Sequence, residues 1–73
     1  MQINLQIEGF LEEYEMAATK FGRLAAGDPR LVLDMRAGRQ IGLQLGNRIS
    51  GFISGYQAAK KHAVLVRSRE LNK

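Results

Sequence analysis

The sequence predicts a small all-α domain of four or five helices. Apolar residues recur at three- and four-residue spacing through most of the chain, glycine, aspartate and proline interrupt that rhythm at a few sites, and strand-like alternation is confined to the two ends. The chain has 73 residues, enough for one domain. A domain of this size buries only about 60% of its chain's surface, so its core is thin and a partner subunit would help it.

Helix one is expected from about Asn4, its candidate N-cap, with Leu5, Ile7, Phe10, Leu11 and Tyr14 as its apolar stripe and Glu12, Glu13 and Glu15 turned to water. The opening MQINLQI also alternates, so a short strand over residues 2–7 competes. Helix two is expected from Ala18 or Thr19 to Ala26, ended by Gly27, which enters left-handed backbone at little cost. Asp28 then caps and Pro29 opens helix three, which runs to about Ala37 and stops at Gly38. The interruption at Gly27-Asp28-Pro29 lets two short helices meet at an angle through a tight turn.

Helix four is expected from about Leu43 to Gly55, with Leu45, Ile49, Phe52 and Ile53 on one side. It contains Gly46, Gly51 and Gly55, each costing up to about 1 kcal/mol relative to alanine. Gly42, Gly46, Ser50 and Ser54 form a small-residue stripe, readable as a close approach to another helix or as a weak helix. The tail over residues 56–73 has two readings: a helix with Ala59, Ala63 and Val66 on one face, or a strand at AVLVRS. Either would serve as a dimerisation element.

Charge is unevenly placed. Residues 1–18 hold four glutamates and no base, whereas the remainder holds all 11 bases against Asp28, Asp34 and Glu70, for a net +4. The basic part begins where the interrupted helical segment begins, which suggests an anionic partner such as nucleic acid or an acidic protein surface. Cysteine is absent and there is one histidine, His62, so neither a disulfide framework nor a metal cluster is indicated. In GRLAAGDP the second glycine precedes Asp-Pro rather than Lys-Ser or Lys-Thr, so it is no phosphate-binding P-loop. No serine has a readable base partner, and no enzymatic activity, cofactor or metal is expected. The N-terminus lacks a basic segment leading into an apolar run and no stretch approaches eighteen apolar residues, so a cytoplasmic, nucleoid-associated protein with no membrane role is expected.

Read from Ala18 as a helix-turn-helix, the segment has Gly22 at the fifth position, where the helices cross and only Gly or Ala fits. Phe21, Ala25, Val32 and Met35 stand at the fourth, eighth, fifteenth and eighteenth positions, which must be buried, and Gly38 closes the third helix. With LDMRAGR ending that helix, residues 7–56 resemble the lambda-repressor-like, Cro-type helix-turn-helix DNA-binding family. The family often has glycine at the ninth position of the turn, where this chain has Ala26, and Gln or Ser where it has Pro29 and Arg30. The resemblance implies a single helix-turn-helix domain over 1–73, with the motif at about 18–38.

It further implies a bacterial or phage-type transcription regulator, dimeric on a pseudo-palindromic site, with the third helix in the major groove. Arg30 is the candidate for reading guanine, with a phosphate contact or a pair with Asp34 as its other roles. Leu33 would touch a thymine methyl or sit in the core, and Asp34 would repel phosphate. Arg36, Arg39 and Gln40 would bind the backbone, as would Lys20 and Arg23 on helix two; Thr19 would donate to phosphate or cap its helix. Gln44 and Arg48 would extend the basic track. Five such contacts give a salt slope of about −4.5. The rival is a protein-interaction module, an anti-activator or adaptor docking on RNA polymerase or another transcription factor through Pro29, Leu33 and Asp34.

Overall fold

In the computed structural model the backbone is described from Gln2 to Leu71 and side chains from Gln2 to Lys61. Four helices follow one another: α1 (Ile3–Tyr14), α2 (Ala18–Ala26), α3 (Leu31–Arg36) and α4 (Leu43–Leu71), with no strand among the described residues. The all-α expectation is met, and helix takes the place of both strand alternatives, at residues 2–7 and in the tail. No helix among the described residues is long and apolar enough to cross a membrane.

Ile7, Phe10 and Leu11 of α1 face Phe21 and Ala25 of α2, Leu31, Val32 and Met35 of α3, and Ile49 and Ile53 of α4 to form one core. Its centre is aromatic. The Phe10 ring lies 4.8 Å from Tyr14, 5.4 Å from Phe21, 6.0 Å from Phe52 and 5.1 Å from Tyr56, in tilted and edge-on geometries. Such pairs add about 0.5–1.5 kcal/mol beyond their buried area, which matters in a core this small. Three elements, α1, α2 and α4, are held to one another through these rings. The Tyr14 hydroxyl is pushed above its ordinary pKa, first by desolvation and then by Glu13 and Tyr56.

Several sequence expectations shift. Leu5, placed in the α1 stripe, is 67% exposed because Ile7, Phe10 and Leu11 set the buried face and Leu5 lies opposite it. Gln2, not Asn4, stands at the N-cap of α1, and no side chain caps it. The helix ends with Glu15 in left-handed backbone, φ 50°, and Met16 N–H donating to Leu11 C=O at 3.0 Å. That closing turn usually takes glycine, and a side chain there costs about 1–2 kcal/mol.

α4 does not stop at Gly55. It continues unbroken to Leu71, because none of its glycines takes the positive φ that would turn the chain. Its last described contact with the core is Tyr56; residues 57–61 are exposed. Contacts along the small-residue stripe are of ordinary length. Gly46 faces the Ile41 side chain and Ser50 Oγ donates to Gln6 Oε1 of α1 at 3.2 Å, whereas Gly42 and Ser54 are exposed. His62 lies outside the described side chains.

Candidate nucleic-acid interface

The junction of α2 and α3 is built from backbone chemistry. Gly27 takes φ 67°, its N–H donates to Arg23 C=O at 3.0 Å, and the next N–H, that of Asp28, donates to Gly22 C=O at 3.1 Å. This is the closing pattern of a helix turned by a left-handed residue. Asp28 then works in two directions: Oδ1 accepts Arg30 N–H at 3.0 Å and its carbonyl accepts Leu31 N–H at 3.1 Å. Pro29 sits within that turn, where its missing N–H costs nothing.

The third helix is therefore shorter than expected. It begins at Leu31, not Pro29, and ends at Arg36, with Arg30 in the capping position, while Asp28 does accept from an amide beyond Pro29, that of Arg30. Gly38 turns the chain out with φ 111°, as Arg39 N–H returns to Asp34 C=O at 2.8 Å.

Gly22 lies buried beneath this turn. A Cβ there would stand closer than 3.0 Å to the Asp28 carbonyl oxygen and 3.2 Å from Leu31 Cβ. Glycine alone fits; the expectation that alanine would serve at the crossing is corrected by that backbone contact.

With Leu31, Val32 and Met35 inward, α3 presents Arg30, Leu33 and Asp34 outward, with Ala37 just beyond its end. Leu33 is 47% exposed, so its core alternative is lost. Leu24, in the apolar spacing of α2, is 49% exposed. On α2, Thr19, Lys20 and Arg23 are exposed, and Ala17 occupies the cap that Thr19 was a candidate for. Gln40 and Gln44 are exposed in the following loop and the first turn of α4.

Three arginines of the interface, Arg30, Arg36 and Arg39, are engaged within the molecule. Arg36 binds Glu8 of α1 bidentately, Nε to Oε2 at 2.8 Å and Nη2 to Oε1 at 2.7 Å. Arg39 Nη1 donates to Asp28 Oδ2 at 2.8 Å and lies 3.7 Å from Asp34 Oδ2; Arg30 Nε is 3.7 Å from Asp34 Oδ1. Thus Arg30, Asp34, Arg39 and Asp28 form one cluster on the turn and α3, while Arg36 sits apart, clasped to α1. Lys20, Arg23 and Arg48 carry no ion pair among the described residues. Glu8 and Asp28 were missing from the sequence-derived site, since partners 28 and 11 residues apart leave no local pattern.

The arginine hydrogen bonds set the carboxylates' acidity. Arg36, by its side-chain hydrogen bond, holds Glu8 below its ordinary pKa, against some desolvation, and Glu8 raises Arg36 in return. Asp28 is lowered first by the Arg39 side chain and then by the Arg30 N–H. A depressed folded pKa gives stability that is present above the group's unfolded value and lost as pH falls through the folded one. Thermal melts of wild type and Glu8→Gln should therefore differ at neutral pH and converge below the usual carboxylate range. A gap that persists there would assign the Glu8 contribution to something other than its charge.

No family model matches this chain, and neither a curated protein nor a solved structure does, so what the site does is argued from its own residues.

Proposed function

We propose that the domain is a sequence-reading DNA-binding transcription regulator that docks through α2, the Gly27–Arg30 turn and α3. One observation carries the reading: every acid on the motif is paired with an arginine, while Lys20 and Arg23 on α2 stay open and the Arg30 side chain is 75% exposed. The surface therefore meets an anion with unopposed bases. The fixed crossing at Gly22 supports the same reading, since a groove-inserting helix must be held at one angle.

Lys20 and Arg23 bind phosphates, Thr19 donates its hydroxyl to another, and Arg30 reaches a guanine edge. Arg36 and Arg39 shape the site more than they grip DNA. With Lys20 and Arg23 as the charged phosphate contacts, the salt slope is about −1.8 per domain, shallower than five free bases would give. So few contacts bind weakly, so two copies share a site with half-sites about one helical turn apart. Such a protein works in a bacterial or phage setting, at a promoter.

A protein-interaction role has its own support in the exposed Leu33 and Leu24, apolar side chains on the two helices that would meet DNA. Fluorescence anisotropy with a randomised duplex pool, before and after selection by the protein, separates the two. Enrichment of a consensus with a slope of the stated size supports the regulator. Absence of binding at low salt rejects it in favour of a docking module for a protein partner.

A further inference from the structure

Asp34 stands on the face of α3 that would meet DNA, where a carboxylate ought to repel phosphate. Its setting gives it a different part. Arg39 is anchored by the 2.8 Å bond to Asp28 and by its own N–H on the Asp34 carbonyl at 2.8 Å, and it keeps Asp34 Oδ2 within 3.7 Å. The other oxygen, Oδ1, is left 3.7 Å from Arg30 Nε. That separation is ionic attraction beyond hydrogen-bond length, so the guanidinium is steered rather than locked. The approach is through Nε, which leaves the Nη1/Nη2 end of the Arg30 fork open, and the side chain is 75% exposed.

A guanidinium in this state is suited to one class of acceptor. Its charge is partly balanced by Asp34, which weakens its pull toward phosphate. Its open fork still matches a neutral pair of acceptors in one plane, the O6 and N7 of guanine.

Building on the regulator reading above, we infer that Asp34 is a positioning residue for specificity: it orients Arg30 toward guanine and keeps it from settling on the phosphate backbone. Its removal then has opposite effects on two kinds of DNA. Asp34→Asn loosens binding to the selected consensus by about 10-fold, the scale of one bidentate base contact, and tightens binding to random duplex by several-fold because a negative charge is gone.

The test measures wild type, Asp34→Asn, Arg30→Ala and the double variant against the consensus duplex and a random duplex of equal length. Circular dichroism checks that each is folded. The expected result is that Asp34→Asn lowers the ratio of consensus to random affinity, and that in the Arg30→Ala background it no longer does. Asp34→Glu, which keeps the charge, should retain most of the ratio. If Asp34→Asn tightens binding to both duplexes alike, Asp34 is only a repulsive charge and the inference fails while the regulator reading stands. If the loss of ratio persists without Arg30, Asp34 acts through Arg39 and the backbone, and the inference fails again. A wild-type protein that selects no consensus overturns the regulator reading and this inference with it.

Discussion

Gly22→Ala should lower the melting temperature by about 10 °C, and Gly22→Val should leave no cooperative transition. In an exposed helical position alanine is worth about 1 kcal/mol more than glycine, so the intrinsic preference favours the change. Packing opposes it more strongly. The added methyl meets the Asp28 carbonyl oxygen, a backbone atom already accepting from Leu31 N–H at 3.1 Å, so relief requires moving the turn that starts α3. Overpacking of this kind costs about 1–3 kcal/mol and more where backbone must shift. A domain under about 80 residues seldom holds more than about 3–5 kcal/mol in all, and each lost kcal/mol lowers the melting point by about 4–8 °C.

The same substitution at Gly51 supplies the control. Gly51 is exposed in α4 with nothing near a new Cβ, so Gly51→Ala should stabilise by about 0.5–1 kcal/mol. Opposite signs at the two sites, in melts followed by far-UV circular dichroism, would establish the close crossing. A wild-type melting temperature for Gly22→Ala would mean that α2 and α3 do not approach as described.

The legible parts of this fold are those written in local backbone chemistry. Gly27-Asp28-Pro29 announces a turn because each residue has its own reason to be there, and the end of α2 at Ala26 follows from it. Periodicity is weaker at assigning which way a helix faces. Leu5, Leu24 and Leu33 are apolar residues of these helices, yet each lies outside the buried set that Ile7 and Phe10, Phe21 and Ala25, or Val32 and Met35 define.

Helix boundaries are harder to read from sequence for related reasons. A proline is equally content in a turn and in a first helical turn, so Pro29 could not date the start of α3. A glycine ends a helix only where φ turns positive, as at Gly27 and Gly38 but not at Gly55. The candidate interface was legible as a set of bases, but not as a set of pairs. Glu8 finds Arg36 and Asp28 finds Arg39 only after the chain has folded, and those two pairs decide which bases remain open.

That division of the bases yields the second large effect. Lys20→Ala with Arg23→Ala should make the salt slope of DNA binding shallower by about 1.8 per domain and weaken binding at physiological salt by about 30-fold per domain, because each phosphate contact contributes a factor of about 5.5 there through released counterions. Helical structure should persist, since both side chains are exposed and neither has an ion partner among the described residues. Removing the clasp instead, with Glu8→Gln and Arg36→Ala together, takes away one charge of each sign. It should leave the slope unchanged and show itself in the melting temperature, through loss of the bidentate link between α1 and α3. Slopes measured between low and physiological salt distinguish the two variants. The reverse pattern, a slope lost with the clasp and kept without Lys20 and Arg23, would mean that Arg36 abandons Glu8 for phosphate on binding and that α2 stands clear of the duplex.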